Sequence, residues 1–269
     1  MDNLPKPYVG ITGFTTEEHV AHGVDRFEAA GFTPANDRIG MMGFIVDHEM
    51  LNGGREHPHA PRYFRNVADI IPLALQSRDK ALNVVHYTPP NRHFTAEDAK
   101  KIMSDVYHEN ACRTIQLNSD MPDPDQIEQM MSEFPELSII FSIHPELISQ
   151  GHHTIVEQLS KYRQGLKYAL IDPSLGEAQQ LQIDPAIDIA KAIEDADLGI
   201  TIGFAGGHSG NNIYSRVRSI RKALGHKNFC IDAEGKLHGA DDRLYLPEMT
   251  RYVQNSKQAY SDEPDIRDL

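Results

Sequence analysis

Short apolar runs give way to longer amphipathic ones eight times along this chain, and that alternation restricts the fold more than any single motif. The short runs are rich in Val, Ile and Phe and read as strands buried on both faces. The longer stretches repeat apolar residues at helical spacing. A chain patterned in this way builds a parallel sheet covered by helices. Strands are predicted over 8–12, 39–46, 81–85, 114–117, 137–143, 166–171, 200–204 and 228–232. Helices are predicted from Thr16 to Ala30, over 66–76, after a cap at Thr95, over 124–133, 154–162 and 185–194, from about Ile213, and over 246–259. Eight such units in 269 residues match a single (βα)8 barrel, an α/β fold that takes ~250 residues. The barrel is expected to span 1–260, followed by an acidic, mobile tail over 261–269.

A formal net charge of −13 argues against a nucleic acid or an anionic membrane as the main partner. Any anion site must then be local, made of backbone N–H groups and a few basic side chains. The start of the chain lacks a charged-then-apolar leader, and no apolar run approaches ~20 residues. Cys112 and Cys230 show no metal spacing, so a reducing, cytoplasmic setting is expected. The oligomeric state cannot be read from these features.

In such a barrel the chemistry gathers at the C-terminal ends of the strands. The residues predicted there are Thr12, Asp47, His86, Asn118, His144, Asp172, His208 and Asp232. After the seventh strand comes Gly206-Gly207 and then the polar run Ser209-Gly210-Asn211-Asn212 that opens a helix. Glycines let a backbone approach a ligand closely, and a helix start favours an anion such as phosphate. Gly235 and Asp232 at the exit of the eighth strand complete the candidate phosphate site. Asp172 is the candidate acid, with His86 or Asp47 as base, since a neutral imidazole can take a proton near neutral pH. Arg62 could hold a carboxylate bidentately, and Asn118 and His144 are candidate substrate contacts. Asp47, His86, His144 and Asp172 could alternatively hold a divalent metal. Otherwise no cofactor or metal is implied. His57 and His59 with Glu56, and His152-His153, read as loop polarity. Lys236, Arg216 and Arg218 could add charge near a phosphate.

Several motifs in order resemble phosphoribosylanthranilate isomerase, a barrel enzyme of tryptophan biosynthesis. They are Gly10-Ile11-Thr12, Gly43-Phe44-Ile45, Pro61-Arg62-Tyr63, Ile115-Gln116-Leu117-Asn118-Ser119-Asp120, Leu170-Ile171-Asp172, Ile183-Asp184, Ala205-Gly206-Gly207 with Asn211-Asn212-Ile213, and Asp232 to Gly235. The resemblance covers most of residues 7 to 257. It implies a metal-free isomerase that binds a phosphorylated sugar conjugate, with Asp172 at the position of the family's general acid. The family's general base is a cysteine directly before glycine-isoleucine-threonine, and here that position is Val9. Valine exchanges no proton, so the family's own rearrangement does not carry over intact. Asn118 stands where the family has histidine, and Ala233-Glu234 where it has phosphate-binding serines. Extra residues lie around 48–60 and 145–153. The expected function is binding and isomerising a phosphorylated sugar or sugar conjugate. The alternatives are a metal-dependent sugar-phosphate epimerase or aldolase, and a non-catalytic barrel that binds a ligand or partner.

Overall fold

The computed structural model describes residues 4–54, 57–162, 165–173 and 181–262. Glu56 and the tail beyond residue 262 lie outside the described residues. Eight parallel strands form a closed barrel: β1 (Tyr8–Thr12), β2 (Ile39–Asp47), β3 (Leu82–Thr88), β4 (Thr114–Leu117), β5 (Ser138–Ile143), β6 (Leu166–Ile171), β7 (Thr201–Phe204) and β8 (Cys230–Ala233). Each pairs with the next, and β1 pairs with both β2 and β8, so that Gly10 lies level with Met41 on one side and Asp232 on the other. Closure leaves no open edge among these eight. The covering helices are α1 (Glu17–Ala30), α2 (Ile70–Ser77), α3 (Ala96–His108), α4 (Pro124–Glu133), α5 (His152–Leu159), α6 (Ile183–Asp195), α7 (Ile213–Leu224) and α8 (Leu246–Ser261).

Local chemistry starts and stops these helices where the sequence places the signals. Thr16 and Thr95 accept the His19 and Asp98 amides at 3.2 Å, capping α1 and α3, and Asp123 caps α4 from the Asp125 amide at 3.1 Å. The chain leaves α1 through Gly31 and α7 through Gly225, both at φ 77°, a left-handed conformation that glycine adopts without strain.

Alternation along the strands splits the core in two. Val9, Ile11, Val85, Ile115 and Ile231 join the large apolar shell between strands and helices. Tyr8, Met41, Val84, Ile140, Tyr168, Leu170, Ala205 and Cys230 fill the barrel itself. Burying each large side chain contributes about 1.5–3 kcal/mol, so the shell carries most of the fold's stability. A Cβ at Gly10 would lie 2.6 Å from Met41 Cε and 2.7 Å from Asp232 Oδ1, which fixes that position on the inner wall. The lower end is closed by the edge-on pair Tyr8–Tyr168, centroids 5.3 Å apart. There Tyr168 donates to the Lys6 carbonyl at 3.0 Å and Thr201 to that of Pro5 at 2.6 Å.

Three local departures from the sequence reading bear on the site. Strand β3 runs on to Thr88, so His86 sits within the strand, level with Ile45 and Gln116, and not at its end. Inner positions near the mouth can be polar, and a polar residue there looks like the start of a loop. In the second unit a helical turn (His48–Leu51) and a two-residue strand (Tyr63–Phe64), paired in parallel with Ile45 and Val46, occupy part of what read as an irregular loop. Helix α5 begins at His152, so His152 and His153 belong to its first turn. Among the described residues no helix is long and apolar enough to cross a membrane.

Candidate active site

Above the apolar filling, the next inward positions are polar. Thr12 on β1, His86 on β3, Gln116 on β4, Ser142 on β5 and Asp232 on β8 continue the inner faces toward the C-terminal end. A pocket of about 370 Å³, its open mouth included, lies there, lined by His86, Gln116, Asp172, Gly206, Gly207, His208, Asp232, Glu234, Gly235 and Lys236 among others.

Three carboxyl groups share this pocket. Asp232 is 5% exposed and accepts from Thr12 Oγ1 at 3.2 Å. Burial, reinforced by Glu234 and Asp172, pushes it up to about 8. Glu234 follows two residues later, just past the end of β8; burial raises it to about 7 against the pull of Arg62, with Asp172 adding to the rise. Half-buried Asp172 enters from the end of β6, its amide bonded to the Ile143 carbonyl at 3.0 Å. Carboxyl groups this close cannot all ionise, so the cluster retains a proton near neutral pH.

Neutral imidazoles surround the acids. Burial lowers His86 to about 4. His208 accepts from Arg216 Nη1 at 2.9 Å and donates through Nε2 to the Phe204 carbonyl at 3.2 Å, so its proton is fixed in place. Arg216 also donates to the Gly206 carbonyl at 2.6 Å. Together these contacts brace the turn in which Gly206 and Gly207 take φ of 106° and 60°, values that favour glycine. Burial of its ring lowers half-exposed His238 to about 4, and its Nδ1 donates to the Glu234 carbonyl at 2.9 Å.

The sequence-predicted residues divide into two groups. Asp172, His86, Asp232, Gly206, Gly207 and Gly235 line one pocket. Asp47, Arg62, Asn118 and His144 are directed elsewhere. Asp47 accepts the Met50 amide at 3.2 Å and caps the 48–51 turn. Arg62 is buried between two acids, 3.5 Å from Glu234 and 2.5 Å from Asp242, so its guanidinium holds protein carboxylates. Asn118 reaches Thr88 at 3.5 Å. His144 bonds Glu146 at 2.7 Å and lies near Asp120 and Arg92, where burial and Arg92 lower its pKa. Asp47, His86, His144 and Asp172 therefore do not form the alternative metal site. Among the described residues no three His, Cys, Asp or Glu side chains gather so that they could hold an ion.

The reading of Val9 as the vacated base position also needs correction. Val9 packs outward in the helix-covered shell, while its neighbours Tyr8 and Gly10 face the barrel. A cysteine side chain at residue 9 would not reach the pocket. Sequence reasoning passed over Gln116 as a pocket group, although it lies level with inward His86, and it took Glu234 only as the residue standing where the resembled family has phosphate-binding serines. Nothing in the sequence could have located His238.

No family model matches the sequence, and no curated protein matches it. Solved structures do match in fold. A monomeric form of the dimeric phosphoribosylanthranilate isomerase of Thermotoga maritima is 13% identical with a TM-score of 0.61, covering 93% of this chain and 98% of its own. A phosphoribosylanthranilate isomerase in complex with reduced 1-(o-carboxyphenylamino)-1-deoxyribulose 5-phosphate is 12% identical, with a TM-score of 0.59 over 93% and 98% of the two chains. An N-acetylneuraminic acid synthetase from Leptospira borgpetersenii is 14% identical, with a TM-score of 0.57 over 98% and 89%. The chain is thus similar in fold to phosphoribosylanthranilate isomerases, and the fold is shared with other chemistry.

Proposed function

We propose that this protein is a barrel isomerase acting on a small phosphorylated sugar or sugar conjugate. The observation that carries the reading is the cluster of Asp172, Asp232 and Glu234 in one pocket at the strand C-termini, with two of the three raised to the neutral range. Opening and isomerising a sugar needs a proton delivered to the ring oxygen and another removed from the neighbouring carbon. A protonated member of the cluster delivers the first as the ring carbon–oxygen bond breaks, an ionised member takes the second and returns it to the adjacent carbon, and the first member regains its proton from the hydroxyl that becomes the carbonyl. Charge and protons balance within the pair, with no external oxidant or reductant.

The phosphate is assigned to Gly206, Gly207, Gly235 and the Lys236 ammonium, which line the same pocket. Proton retention in the cluster lowers the repulsion that three full charges would exert on that phosphate. The bound deoxyribulose phosphate in a structural relative supports a phosphorylated ligand, which a chain of net charge −13 would attract through local groups.

The test is proton exchange in deuterated buffer, followed by NMR, for phosphoribosylanthranilate and a panel of pentose and hexose phosphates. At least one substrate should exchange a carbon-bound proton. Asp172→Asn and Asp232→Asn, checked for folding, should each reduce that rate by about a hundredfold or more. Wild-type protein that exchanges no proton in any of them would refute the isomerase reading.

A further inference from the structure

We propose that Arg216 supplies a counter-charge to the ligand's phosphate from behind the glycine turn, so that this site takes the phosphate as a dianion. The inference rests on the sugar-phosphate reading and names the residue and the charge state by which that ligand is held. Arg216 stands in the first turn of α7, and side chains on a helix lean toward its N-terminus. The guanidinium therefore reaches back behind the turn that precedes the helix. Its Nη1 donates to the Gly206 carbonyl at 2.6 Å and to His208 Nδ1 at 2.9 Å, and both of those residues line the pocket.

Arg216 is 7% exposed, and its two acceptors are neutral, since burial and Arg216 itself hold His208 at about 3. Among the described residues no carboxylate pairs with Arg216, and burial alone shifts its pKa, downward. Glu248 on α8, beside the same turn, is committed to the Gly210 amide at 2.7 Å and to Arg251 at 2.9 Å. A buried cation without a counter-charge is costly. The pocket lies across Gly206 and His208 from the guanidinium, so an anion bound against the glycine turn supplies that charge. With Lys236 on the pocket wall, two cations then act on one phosphate and favour its doubly charged form. Asp172, Asp232 and Glu234 face the same pocket, and their retained proton limits how far they oppose it. His86 is neutral and adds no charge. A sulfate ester, with one negative charge, gains less from the same two cations.

Phosphorus NMR of D-ribose 5-phosphate bound to the protein, followed across a pH series, reads the charge directly. The free monoester takes up its second proton near pH ~6. On the wild-type protein that midpoint should fall by about one pH unit or more. Arg216→Gln removes the charge and keeps an amide donor for the turn; it should raise the midpoint again by about half a unit or more, and Arg216→Lys should keep it low. A residue that only braced the turn would, on replacement, weaken binding and leave the midpoint of the bound ligand where it was. An unmoved midpoint in Arg216→Gln therefore overturns the assignment. If that variant does not fold, Lys236→Met decides, since Arg216 then acts without the lysine: a midpoint still below the free value upholds the assignment, and one equal to it does not. A wild-type midpoint equal to that of the free ligand overturns the assignment and leaves the sugar-phosphate reading standing. Failure of both D-ribose 5-phosphate and inorganic phosphate to bind overturns both.

Discussion

Replacing Asp232 by asparagine should make the protein more stable, and by an amount that depends on pH. Folded Asp232 keeps its proton up to about pH 8, while the unfolded chain releases it near the ordinary value of 3.8. Between those values the folded state binds more protons, so stability falls as the pH rises and levels off above the folded pKa. At pH 7 the interval is about three pH units, and at about 1.4 kcal/mol each the cost of keeping the group neutral is about 4 kcal/mol. Asparagine has the same shape, stays neutral at no such cost, and keeps an oxygen for the Thr12 hydroxyl. Urea unfolding at pH 4, 5.5, 7 and 8.5 measures the difference. Because the chain has no tryptophan, circular dichroism is the suitable signal. The two proteins should be nearly equal at pH 4, and the variant should lead by about 4 kcal/mol at pH 7. The difference between the curves reports Asp232 together with its coupling to Glu234. Stability curves that stay parallel from pH 4 to 8 would refute a neutral, buried Asp232. The same substitution should lower turnover by about a hundredfold or more, the usual cost of relieving strain at a working site.

Other groups give independent tests. Gly13 holds φ 110°, and a Cβ there would sit 2.4 Å from His238 Nε2, so Gly13→Ala should cost about 2 kcal/mol and lower Tm by several degrees; an unchanged melting curve would contradict that geometry. Arg62→Met removes the cation beside Glu234 and Asp242 and should destabilise the fold by about 3 kcal/mol in urea unfolding. It should also move the Glu234 limb of a pH–rate profile upward, since Arg62 is what holds Glu234 down. Burial raises both thiols, Cys230 to about 12, so an aromatic disulfide reagent should label neither in the native protein and both after unfolding. Rapid native labelling of either would count against the inner and outer cores described here.

The barrel was legible because its strands are buried on both faces, which writes them as mostly apolar runs such as 39–46 and 138–143. The end of β3 was not legible, since His86 and Thr88 face the polar mouth and resemble loop residues. Period-two counting finds part of the site: Cys230 and Asp232 share the inner face of one strand, and Val84 and His86 that of another. The motif before Gly10 misled because it carries no statement of which face is inward, and Val9 turned out to face the helices. Arg62 and Asp242 are 180 positions apart, and only the folded chain brings that ion pair together. Asp47 illustrates a different limit. A carboxylate at a strand exit can serve chemistry or cap the next turn, and the Met50 amide decides between them.

The pairing of β1 with β8 also sets a timetable. Strand β1 gains its first neighbour once Ile39–Asp47 has been made, but its other edge waits for Cys230–Ala233. The residues that seal the lower end wait similarly, Lys6 for Tyr168 and Pro5 for Thr201. For most of its synthesis the nascent sheet is therefore an open ribbon with an adhesive strand at each margin. Ribosome stalling or truncation before residue 230 would release that ribbon, and a cell that makes this protein must shelter it until the last strand arrives.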